Sequence, residues 1–211
     1  MSGGQPISAV QAVSTDQPVS EAPASQAQSV GAGQPESEVP ASQALAVSAA
    51  DLEAVGRQLG RTARGVDAIA HRCPCGQPDV VATHPRLPDG TPFPTTFYAT
   101  CPRLTGAIST LESTGLMREM SERITADPEL AAAYQRAHED YLQRRRALGE
   151  VAEIDGISAG GMPTRVKCLH VLVGHALAAG PGVNPLGDEA LELLRRSPWW
   201  AAGPCVSPDP A

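Results

Sequence analysis

Five cysteines stand in a chain of 211 residues, and four of them have neighbours that suit metal chemistry. Arg72-Cys73-Pro74-Cys75-Gly76 resembles a metal knuckle, in which proline and glycine bend the chain so that two sulfurs face one centre. Its cysteines are one residue closer than in the common Cys-x-x-Cys form. Cys101 and Cys168 add two more sulfurs, and soft thiolates favour zinc or an iron–sulfur cluster over magnesium or calcium. The expected metal site is therefore Cys73, Cys75, Cys101 and Cys168, with His175 behind them. The opposing reading makes Cys101 and Cys168 small buried hydrophobes, as cysteines without a partner often are.

Two further chemistries share the stretch from Gly156 to Gly180. Gly160-Gly161 lets the backbone approach a ligand, and Thr164, Arg165 and Lys167 add donors and charge, so a phosphate-like anion fits there. The Walker pattern is absent, which excludes a nucleotide triphosphatase of that class. A glycine pair before a helix is also a common turn. Cys168 could alternatively be a nucleophile with His170 or His175 as its base.

These residues need a helix and a sheet to position them. Pro163 suits a first helical position and Gly180-Pro181-Gly182 a stop, which predicts a helix from Pro163 to Ala179. At about 100° per residue, Cys168 and His175 would share a stripe two turns apart, and His170 would face away. Such a helix offers one primary ligand, Cys168, since a separation of about 10 Å is too long for two residues to share one ion. Each imidazole also has a plain reading as a hydrogen-bonded, partly buried histidine. Upstream, residues 65–73, 79–84 and 95–101 read as three short strands divided by Pro and Gly clusters. In a meander the first and third strands run the same way, which puts Cys73 and Cys101 at one end of the sheet.

The remaining elements are helical. Ser48-Ala-Ala-Asp51 resembles a capping box before Leu52, Val55 and Leu59. Apolar spacing predicts helices over 102–114 and 115–124. Asp127-Pro128-Glu129 starts a longer helix to Leu148, and Arg144-Arg145-Arg146 falls in its last turns, where cations complement the dipole. Asn184-Pro-Leu-Gly-Asp188 leads a last helix carrying Leu191, Leu193 and Leu194.

Composition sets the outer bounds. Residues 1–56 carry a net charge of −6 and the remainder −1, so nucleic acid is not an expected partner. No run reaches the roughly 20 apolar residues of a membrane span, and the N-terminus has no secretory pattern. The expected location is the cytoplasm, where cysteines serve as thiols or metal ligands rather than disulfides. Residues 1–48 are rich in Ser, Ala, Gln and Pro, have no aromatic side chain, and repeat Gln17–Val30 as Gln34–Val47. That composition predicts a disordered tail, with the repeat as a duplication inside it.

From Arg72 onward the wording is specific as a set: Arg-Cys-Pro-Cys-Gly-Gln-Pro, Leu-Pro-Asp-Gly-Thr-Pro-Phe-Pro-Thr, Ile-Ser-Ala-Gly-Gly-Met-Pro-Thr-Arg-Val-Lys-Cys-Leu-His and Gly-Pro-Gly-Val-Asn-Pro-Leu-Gly-Asp. The chain resembles, over about residues 66 to 196, the largely actinobacterial family called domain of unknown function 501. The resemblance implies a domain boundary and no activity. Members often neighbour genes for a septum formation initiator and an exopolyphosphatase, which implies a link to septum formation or phosphate metabolism.

The expectation is an α+β domain over 50–197, a three-stranded antiparallel sheet packed with about five helices, between a tail at 1–48 and another at 198–211. The leading function is a cytoplasmic metal-binding protein with an anionic ligand at Gly160, Gly161, Thr164, Arg165 and Lys167. The alternative is an adaptor for a protein partner, without metal or catalysis. No particular reaction follows from these residues.

Overall fold

A computed structural model describes residues 47–198 and 200. Almost all of the expected N-terminal tail and most of the C-terminal one lie outside them. The elements, in chain order, are α1 (Ala49–Leu59), β1 (Val66–Arg72), β2 (Pro78–Thr83), β3 (Phe97–Ala99), α2 (Pro102–Glu112), α3 (Leu116–Ala126), α4 (Pro128–Leu148), α5 (Leu169–Ala179) and α6 (Pro185–Arg196). The strands form one antiparallel sheet in the order β1-β2-β3, as the Pro and Gly punctuation predicts.

The sheet is covered on both faces, and its sequence alternates accordingly. Ala68, Val80, Ala82, Phe97 and Ala99 join the main core, while Ile69, Val81 and Tyr98 pack with Val55 and Leu59 of α1. Period-two alternation sends neighbouring residues to opposite faces, so two small hydrophobic sets can share one strand. β2, in the middle, is buried at every position. The main core lies between the sheet and the helices, with α5 at its centre: Leu169 and Val171 to Ala176 are all buried.

α1 is held in place electrostatically as well. Ser48 and Asp51 form the reciprocal capping box, and both Asp51 carboxylate oxygens accept from the Arg72 guanidinium at the end of β1, at 2.8 and 2.9 Å. Arg72, helped by the Ser48 bonds and opposed by burial, keeps the Asp51 carboxyl well below its ordinary 3.8. A carboxyl lowered in the folded state stabilises the fold above its unfolded pKa and loses that contribution as pH falls through the folded value. Asp51→Asn is therefore expected to cost about 1–2 kcal/mol at pH 7. In urea titrations that difference from wild type should begin to shrink below about pH 4. A difference independent of pH would show that the Asp51–Arg72 pair does not form.

One element departs from expectation. The helix predicted from Pro163 begins six residues later, at Leu169. The N–H groups that would open it are taken elsewhere: Lys167 donates to Gly160 O at 2.7 Å and Arg165 to Gly161 O at 3.1 Å. Val166 donates to Ser121 Oγ on α3 at 3.0 Å. Gly160 and Gly161 both have positive φ, 77° and 94°, which wraps the segment into a loop. Among the described residues no helix is long and apolar enough to cross a membrane.

Candidate metal centre

The later start of α5 changes the role of Cys168. It is the N-cap of α5, with extended backbone at φ −155° and ψ 116°, and lies outside the helical wheel on which His170 would face away. His170, two residues on, comes beside it. Glu112, the last residue of α2, reaches the same point. One donor atom from each of Glu112, Cys168 and His170 lies within 4.8 Å of the other two, the one such group of three among the described residues.

The three are oriented by hydrogen bonds. Leu169 N–H, the first of α5, donates to Glu112 Oε1 at 2.6 Å. This carboxylate sits where the unpaired amides and positive end of the helix favour an anion. His170 places Nδ1 3.2 Å from the same oxygen and Nε2 3.2 Å from the carbonyl of Thr105. Both partners are acceptors, so the metal-free ring satisfies them only by carrying two protons. The electrostatics agree: the Cys168 hydrogen bond first, then Glu112, pushes His170 from 6.5 up to about 9, against the opposing effect of burial.

The cluster forms part of the wall of a cavity of about 610 Å³ between β3, α2 and the start of α5, which Cys168 and His170 both line. A thiol, an imidazole and a carboxylate at this spacing suit a zinc-type ion with three protein ligands, and equally a thiol polarised by an imidazolium.

The other expected site residues stand outside this group. Cys73 and Cys75 lie in the tight connection between β1 and β2, where Gly76 N–H donates to Cys73 O at 2.8 Å and Cys73 N–H to Gln77 O at 3.0 Å. Cys101 is the N-cap of α2 and belongs to the main core. Neither these three nor His175 joins the group at Cys168. His175 is fully buried, its ring stacked on Phe97 and edge-on to Tyr141, and bonded to Asp140 and Asn184. Thr164, Arg165 and Lys167 are exposed on the loop before α5, and the first amide of that helix faces Glu112 instead. Arg144, Arg145 and Arg146 occupy the last turns of α4, where Arg145 is buried and donates to the carbonyls of Ile154 and Ile157.

Glu112 was missing from the sequence reading. Its one signal is an acidic residue closing a helix with no basic residue in that last turn, where the dipole disfavours it. Such a carboxylate is expected to find a partner from another element.

Fold and site together define an α+β protein with a thiol–imidazole–carboxylate cluster in the wall of a cavity. Residues 69–192, more than half of the chain, match the family described as "Protein of unknown function (DUF501)", and the chain belongs to that family. No curated protein matches the chain, and no solved structure does.

Proposed function

We propose that this chain is a cytoplasmic metal-binding protein whose ion is held by Cys168 Sγ, His170 Nδ1 and the Glu112 carboxylate. The supporting observation is the group itself: three donors within 4.8 Å, with the far nitrogen of His170 turned onto a backbone carbonyl. That second bond is the usual companion of a ligating histidine, because it fixes the tautomer and leaves the near nitrogen's lone pair for the metal. Cys168 and Glu112, both deprotonated, contribute two negative charges to match a divalent ion. One thiolate with one imidazole and one carboxylate favours zinc; an iron–sulfur cluster calls for more sulfur.

The test is elemental analysis on protein purified under reducing conditions. Wild type is expected to hold one zinc per chain. Cys168→Ser and His170→Ala should lose it, and Glu112→Gln should bind about tenfold more weakly or worse. Cys101→Ser should keep it. A folded wild type that takes up no zinc overturns the proposal. An adaptor without metal would call for a contiguous apolar surface. The exposed large hydrophobics among the described residues are Leu52, Ile157 and Leu193, on three separate segments, and Trp200 packs against the main core.

A further inference from the structure

Between α1 and the sheet lies a second cavity, of about 160 Å³. Val55 and Leu59 of α1, Val81 and Tyr98 of the sheet, and Leu87 and Phe93 of the β2–β3 connection form its apolar wall. Voids larger than a water molecule are few in a packed interior, and this one is the size of a cavity that holds a benzene ring. Its wall is fixed by backbone. Leu87 N–H donates to Thr91 O at 2.9 Å, Phe93 N–H to Pro85 O at 2.8 Å and His84 N–H to Gly65 O at 2.8 Å. Gly65, with φ 63°, leaves no room for a side chain, since a Cβ there would lie 2.9 Å from Leu87 Cδ2. The cavity is therefore formed before any ligand arrives.

Its charged residues are all of one sign. Arg61 and Arg64, on the connection between α1 and β1, line it, and no Asp or Glu does. Both are exposed, which puts them where the cavity opens to solvent. Neither forms an ion pair among the described residues, whereas Arg57 and Arg86 on the flanking segments pair with Glu53 and Glu153. Arg64 also feels the exposed carboxylate of Asp89, which accepts from Thr91 N–H at 3.0 Å, so the three groups leave a net charge of +1. The remaining polar groups are the hydroxyls of Thr83 and Tyr98, and the first is donated to the Thr95 carbonyl. We propose that this cavity binds a small apolar monocarboxylate, with its body against the wall and its carboxylate on Arg61 and Arg64. A body of one ring, or of about six carbons, fits the volume. The guanidinium fork matches a carboxylate, while the apolar wall rewards a ligand that brings apolar surface with the charge. None of Glu112, Cys168 and His170 lines this cavity, so the site is separate from the metal cluster.

Full-length protein with labelled Val and Leu methyl groups is titrated by NMR with phenylacetate, with its neutral isostere phenylacetamide, and with acetate. Phenylacetate should saturate with a Kd on the order of 0.1–1 mM. It should shift the methyls of Val55, Val66, Val81 and Leu87, which line this cavity, and leave those of Val171 in the larger one unmoved. Phenylacetamide and acetate should each bind about tenfold more weakly or worse, because each lacks one half of the match. Arg61→Gln combined with Arg64→Gln changes two exposed side chains, so it should lose about tenfold in phenylacetate affinity at an unchanged melting midpoint. Cys168→Ser should bind as wild type does. Equal affinity for phenylacetamide overturns the anion, and equal affinity for acetate overturns the apolar body. Unchanged affinity in the arginine variant overturns the carboxylate contact. Shifts at Val171 in place of the other four, or a loss of binding in Cys168→Ser, would put the acid at the metal cluster and overturn this site. No saturation by about 10 mM phenylacetate overturns it as well.

Discussion

Gly187→Ala is expected to destabilise the fold by about 3 kcal/mol, a large effect for a single methyl group. Gly187 lies in the first turn of α6, where an added Cβ would sit 2.4 Å from the carbonyl oxygen of Leu172 and 2.9 Å from the Ala176 Cβ, both on α5. The first contact is with backbone, so no rotamer change relieves it. α5 cannot retreat either. On its other side the site of a Gly174 Cβ is only 3.0 Å from the Phe97 carbonyl of β3, which shows how closely helix and strand already approach. The overlap must separate α5 from α6 or from the sheet, and both lie at the centre of the main core. In thermal denaturation followed by circular dichroism, the midpoint should fall by about 6–12 °C. Gly106→Ala is the matched control: it sits in α2 with open space around it, so the same methyl should stabilise by about 0.5–1 kcal/mol through helix propensity. Equal midpoints for the two variants would show that α5 and α6 do not pack at this spacing.

How much of this was legible in the sequence follows from where each signal lives. Ser48 with Asp51, Asp127 before Pro128 and Asn184 before Pro185 are local instructions, each satisfied by backbone within a few residues, and each starts a helix in the structure. The strands were readable because proline and glycine clusters isolate them. Pro163 was a misleading local signal. It suits a helix start, but the amides after it bond to Gly160, Gly161 and Ser121, and the last of these is a contact across 45 residues that no window contains. That one misplacement carried over to the site. With Cys168 inside a helix, His170 faced away and His175 aligned with it; with Cys168 as the cap, His170 is its neighbour and His175 goes to the core. Glu112 is 56 residues before Cys168 in sequence, and its role depends on α2 ending against the start of α5.

His175→Ala is expected to cost about 3–5 kcal/mol, and the reason is a chain of hydrogen bonds whose orientation is fixed from one end. Gly187 N–H donates to Asn184 Oδ1 at 2.9 Å, and a backbone amide can only donate, so the Asn184 side chain has its oxygen on that side. Its nitrogen then faces His175 Nδ1 at 3.2 Å, which must accept. The ring proton is therefore on Nε2, and it is donated to Asp140 Oδ1 at 2.8 Å. Asp140 also accepts from Arg144 at 2.6 Å. Removing the ring deletes a fully buried side chain between Phe97 and Tyr141 and leaves the Asn184 nitrogen, also fully buried, with only the Met162 sulfur at 3.8 Å. His175→Phe separates these two losses. It keeps an aromatic ring in the stack and forfeits only the bonds, so it should cost about 1–3 kcal/mol. Zinc content decides the functional question in the same variant. If the ion sits among Glu112, Cys168 and His170, His175→Phe keeps full zinc occupancy while melting earlier. Zinc lost from a folded His175→Phe protein would return His175 to the ligand set and move the site away from the cavity.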